Sequence, residues 1–231
     1  MRRPLLETGS GSRTEAFGVR EWGLLASIAL IWGSSFLFID VGLEALAPGV
    51  IALARVALGV AALSLVPTAR RPIGPQDRVR VAFLGVIWAG LPLLLFPVAQ
   101  QWIDSSVAGM LNGAVPLQQR HGALPVLLRA QLAALALLTP FGLWGLRSSS
   151  FAWPSVLAMV PLGVLGTGAA FVMMTILVGR VGGPRGAVAT YFIPVVAIAL
   201  GVLFLGERVA PAAVAGTGLV LAGAWLTSRR L

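Results

Sequence analysis

Apolar stretches alternate along the chain with short arginine-bearing breaks, a pattern that predicts helices throughout. The runs fall at about 22–41, 48–66, 81–98, 105–117, 123–146, 155–177, 187–205 and 212–226. Most approach the ~20 residues with which an α-helix crosses a hydrocarbon core of ~30 Å. The fourth is short: at ~1.5 Å per residue, residues 105–118 rise only about 21 Å. It then meets Pro116 and breaks into "LQQRHG" (117–122).

Composition agrees with a membrane protein. The 231 residues are 58% hydrophobic and 11% charged, whereas soluble domains sit nearer 45–50% and about 25%. The net charge of +9 does not indicate nucleic acid, because all 17 basic residues are arginines, most of them set in short clusters between the runs. That is loop placement rather than a binding face. Residues 1–22 form a polar tail, and the run that follows reads as an uncleaved first helix.

Arginine placement decides whether the short run crosses. With eight crossings and a cytoplasmic N-terminus, 13 loop and tail arginines lie inside and only Arg147 and Arg208 outside. Without the fourth crossing the division is ten against five. The positive-inside rule favours eight crossings with both termini cytoplasmic.

An internal repeat accounts for the anomaly. A shift of 78 residues lays Gly85-Val86 on Gly163-Val164, Gly90 on Gly168 and Pro116 on Pro194. Arg55, followed by Pro67, likewise resembles Arg129, followed by Pro140. After Pro194 the second copy continues through one helix and into another. After Pro116 the first copy has only a few residues more before the next run.

"LIWGSSFLFIDVGLEALAPGVIALARVALG" (30–59) resembles the opening of EamA-type transporters of the drug/metabolite transporter superfamily. "YFIPVVAIALGVLFLGERVAPAAVAGTGLVLAGAWL" (191–226) is similar to their closing helix pair, including Pro194, the turn Gly206-Glu207-Arg208 and a glycine-rich last helix. The resemblance implies an all-α polytopic bundle of two inverted-topology repeats that exports or exchanges a small metabolite, such as an amino acid, by alternating access. Such proteins have ten helices, whereas this chain matches one to three, half of four, and seven to ten. The expected organisation is therefore a tail (1–22), a truncated first repeat (23–117) and a second repeat lacking its first helix (118–231). "GAVPLQQRHG" (113–122) reads as a seam from which roughly 60 residues are gone, estimated from the 37 residues after Pro194 and one further span. A natural eight-helix variant is the alternative.

Chemistry-bearing residues are sparse. His121 is the lone histidine, and cysteine and lysine are absent. No histidine metal site, Ser-His-Asp triad or P-loop can be assembled from this chain alone, so neither enzyme activity nor a cofactor is expected. Ionisable groups within spans are costly and default to functional suspects. Arg55 and Arg129 are the two: one or both attract a substrate carboxylate, or else Arg55 pairs with helix-end carbonyls and Arg129 snorkels to the nearby face. Asp40, Glu44, Asp104 and Glu207 fall near the predicted outer ends, leaving no acidic group at a span centre.

Trp32, Ser34 and Ser35 make a polar-aromatic break in the first run. Asn112 and its repeat counterpart Thr190, with Tyr191, precede the matching prolines, where broken helices commonly line a midplane cavity. Ordinary packing by Ser, Asn and Thr is the competing reading for each. The expected substrate site comprises Trp32, Ser34, Arg55, Asn112, Thr190 and Tyr191. The expected partners are the lipid bilayer, a small-molecule substrate and, as an assembly left open, a homodimer; nucleic acid is not among them. The expected location is the plasma membrane. A transport-defective remnant and a non-transporting scaffold or accessory subunit are the rival functions, and a flux assay separates both from a transporter.

Overall fold

The computed structural model describes residues 17–102, 123–207, 209, 211, 214–219 and 222. Six apolar helices carry most of them: α1 (Val19–Leu43), α2 (Pro48–Ser64), α3 (Pro75–Ala99), α4 (Leu124–Ser148), α5 (Trp153–Val181) and α6 (Val188–Leu205). Five are long and apolar enough to cross a membrane; α2, at 17 residues, is just shorter. The six correspond to six of the eight apolar runs. The short run at 105–117 lies outside the described residues, as does most of 212–226.

Helix ends follow the local sequence. Pro48, Pro75 and Pro154 stand in the first turns of α2, α3 and α5, where a missing N–H costs nothing. Gly206 closes α6 in a left-handed conformation, φ +66, as suits a residue without Cβ. Near the start of α6 the backbone turns at Phe192 before resuming at Ile193. Pro194 follows and cannot donate to the carbonyl of Thr190, four residues back.

The described residues fall into two compact units, one holding 17–37 and 172 onward, the other 38–102 and 123–171. The second unit draws α2 and α3 from the first half of the chain and α4 with α5 as far as Phe171 from the second. Its centre is the antiparallel pair α2 and α4, in which Gly145 approaches Ala47 and Gly142 approaches Leu53. Ala52 and Val56 of α2, Ala89 and Leu93 of α3, and Ala134 and Leu138 of α4 form a fully buried cluster. In lipid, such contacts hold by close packing of small residues, because hydrocarbon is no less apolar than the side chains.

The outer helices of this unit are π-helical where they meet the central pair, at Gly85–Gly90 of α3 and Leu162–Ala169 of α5. These are the positions that the 78-residue shift lays upon one another. A Cβ on Gly85 would strike the Ala130 carbonyl, and one on Gly163 would come within 3.0 Å of the Arg55 carbonyl. Gly90 faces Ala134 and Leu137, as Gly168 faces Gly59 and Ala62. Later residues meet later residues in both pairs, so α3 runs parallel to α4 and α5 parallel to α2. The end of α3 and the start of α4 therefore lie at opposite ends of the unit.

The two sets of contacts refine the repeat. Ala130, Ala134 and Leu137 stand 75 residues after Arg55, Gly59 and Ala62, occupying the same contact positions. Arg55 is thus matched by Ala130, and its likeness to Arg129 is off by one residue. One residue is ~100° of helix rotation, which is why the two arginines meet different surroundings.

One end of the unit is stitched by polar contacts. Ser155 Oγ donates to the Val41 carbonyl at 2.7 Å, the Ala47 N–H donates to Ser149 Oγ at 2.8 Å, and the Ser150 N–H donates to the Ala45 carbonyl at 2.8 Å. Orphan groups at helix ends are thereby satisfied. Asp40, Glu44, Gln100, Gln101 and Ser148 help to line an open cavity of about 550 Å³ there.

In the other unit, α1 meets α6 closely at Gly33, where a Cβ would come within 2.5 Å of Val196 Cβ. Glu21 accepts from Arg180 Nε at 2.7 Å, and its other oxygen accepts the Gly18 N–H at 3.1 Å. Arg185 stacks over the Phe17 ring at 4.8 Å.

Candidate functional site

Arg55 is the most unusual residue of the bundle. It sits midway along α2, only 3% exposed, because the π-helical turn of α5 covers it. Its Nε donates to Thr167 Oγ1 at 3.2 Å, while that hydroxyl reaches the Leu162 carbonyl at 3.4 Å. The Thr167 carbonyl in turn accepts Gln131 Nε2 of α4 at 2.8 Å. Three helices thus bring Arg55, Gln131 and Thr167 into one polar node; Gln131 and Thr167 are fully buried. A π turn displaces backbone carbonyls from their usual partners, and the amide of Gln131 satisfies the one at Thr167.

The node has unspent capacity. Among the described residues no carboxylate pairs with Arg55, and its terminal guanidinium nitrogens make no hydrogen bond. Gln131 Oε1 is buried without a partner. An unpaired charge in such surroundings is expensive, and an anion would relieve it with bidentate geometry.

The node has no symmetric twin. By the contact-derived matching, Arg55, Gln131 and Thr167 correspond to Ala130, Val56 and Ala89, all apolar and fully buried. Two of those three belong to the apolar cluster at the centre of the unit.

The other expected site residues are placed differently. Trp32 is buried, 9% exposed, in the unit that does not contain Arg55. Ser34 Oγ and Ser35 Oγ both donate to the Ile31 carbonyl at 3.0 Å, and Thr190 Oγ1 donates to the Ala187 carbonyl at 2.7 Å. These hydroxyl protons are engaged by carbonyls three or four residues back in their own segments. Tyr191 is half-buried beside the turn of α6. Asn112 lies outside the described residues. Arg129 is half-buried near the start of α4 and lines a shallow cavity. Gln131 and Thr167 escaped the sequence reading, since a single amide or hydroxyl in an apolar run carries no pattern of its own.

The family model of the EamA-like transporter family matches residues 21–118 and 122–229. The chain therefore belongs to the EamA-like transporter family, and it is a polytopic α-helical membrane protein. The two matched segments meet around Gln119, Arg120 and His121, within the stretch read as a seam. No curated protein matched the chain, and no solved structure did.

Proposed function

We propose that the chain moves a small polar metabolite bearing a carboxylate, such as an amino acid, by alternating access, as an exporter or exchanger. The observation that carries this reading is the charge of Arg55, held among α2, α4 and α5 with no acidic partner among the described residues. A buried cation without a counter-ion gains most from an anionic substrate. Since Arg55 is 3% exposed, a substrate reaches it only when the surrounding helices part. Such gated access is what alternating access supplies.

The orientation proposed places both termini in the cytoplasm of a cell membrane. Within the second unit, Arg70, Arg71, Arg78, Arg80 and Arg129 lie toward one end and Arg147 toward the other. The arginine-rich end is assigned to the cytoplasm.

The test is flux in proteoliposomes. Arg55→Ala should abolish transport of acidic and zwitterionic compounds while the protein still inserts and elutes as a folded species. It belongs in a chain with the missing segment restored, so that low basal flux does not mask the effect. Unchanged flux in that variant would leave Arg55 a packing role only.

A further inference from the structure

The first turns of α3 and α4 border a second feature, unrelated to the Arg55 node. Arg78, at the start of α3, and Arg129, on α4, line one cavity of about 290 Å³ with Pro72, Ile73, Val81 and Ala82. Ile73 and Val81, which give it an apolar wall, pack behind it against Val126 and Ala130. Asp77, the adjacent acid, pairs with Arg80 at 3.2 Å. Neither Arg78 nor Arg129 forms an ion pair with a described acidic residue. The first turn of α3 adds the positive end of its helix dipole.

We propose that this cavity binds the phosphate of an anionic membrane lipid. Two guanidinium groups from separate helices suit a phosphate, which accepts from both. Basic pockets between spanning helices, at the arginine-rich face, are where anionic headgroups bind.

A second observation favours lipid over soluble phosphate. Val79, Phe83, Ile87, Leu91 and Leu95 are all exposed and recur every fourth residue down α3. They form one apolar stripe that starts beside Arg78 and runs along the helix. A phosphate seated between the arginines leaves its acyl chains beginning where this stripe begins, whereas inorganic phosphate makes no use of it.

The experiment uses the purified full chain in neutral detergent, titrated with dioleoyl phosphatidylglycerol, dioleoyl phosphatidylcholine or inorganic phosphate. Native mass spectrometry reads the lipid retained, and thermal unfolding reads stabilisation. Phosphatidylglycerol should be retained in preference to phosphatidylcholine, and millimolar phosphate should not displace it. Near a membrane surface each arginine is worth ≈ 1 kcal/mol, so Arg78→Gln and Arg129→Gln should each weaken retention about fivefold. Arg70→Gln with Arg71→Gln, outside the cavity, should leave retention within about twofold of the parent. Arg78 is exposed, so Arg78→Gln remains readable even if Arg129→Gln fails to fold. Equal loss in the Arg70/Arg71 variant, no loss in Arg78→Gln, or full displacement by inorganic phosphate would each overturn the proposal.

Discussion

Arg55 and Thr167, 112 residues apart in sequence, are joined by a single hydrogen bond of 3.2 Å from guanidinium Nε to hydroxyl. That bond fastens α2 to the π-helical turn of α5. The carbonyl of the same threonine anchors α4 through Gln131. One small residue therefore holds the polar contacts of three helices.

Thr167→Val keeps the shape of the side chain and removes the oxygen. Arg55 Nε would then be buried without an acceptor, at a cost of about 1–3 kcal/mol. Thermal unfolding in detergent should show the loss, and Thr167→Ser, which restores the hydroxyl, should recover most of it. If Thr167→Val melts with the parent, the hydroxyl does not hold the arginine.

Glycine substitutions should separate by location. A methyl group at Gly85 meets the backbone carbonyl of Ala130, which cannot step aside, whereas at Gly23 it meets nothing within 4 Å. Gly85→Ala should cost about 1–3 kcal/mol through overpacking. Gly23→Ala should be neutral or gain up to about 1 kcal/mol from helix propensity. Comparing the two melting temperatures checks this, and equal stability would contradict the close approach of α3 to α4.

The parallel course of α3 and α4 has a topological reading. A reporter at Ser149 should be external, and reporters at Arg185 and after Arg230 cytoplasmic. A cytoplasmic reading at Ser149 would mean that residues 105–117 do not cross.

The seam makes a prediction of its own. If the seam marks the loss of the second half of helix four and of helices five and six, flux by the 231-residue chain should be weak or nil. Insertion of the roughly 60 residues estimated from the repeat and one further span should rescue it. Full, saturable transport by the chain as it stands would favour a natural eight-helix transporter.

The helices themselves were legible because uninterrupted apolar runs bounded by Pro, Gly and Arg admit little else in a membrane. Arg55 was legible as a suspect because charge in such a run is costly. Its partners were not, for Gln131 and Thr167 acquire meaning only when α4 and α5 are laid against α2. The sequence shift also misled slightly over Arg129. Two arginines near equivalent prolines look matched, yet the contacts put Ala130 in the place of Arg55. Ser34 and Thr190 show a different side of the same problem, since sequence does not reveal that polar side chains inside a span often bond their own backbone.

The two π turns bear on ancestry. A π turn is one surplus residue absorbed within a helix, and this molecule carries one at Gly85–Gly90 and another at Leu162–Ala169. Since the matching glycines of both copies sit inside these turns, one insertion before the duplication explains both, whereas a later origin needs two independent events at the same place. On that parsimony the surplus residue is older than the repeat itself. The polar node is the asymmetric element, because Ala89 stands where the second copy has Thr167. The backbone irregularity is common to both halves, and only one of them holds polar side chains against it.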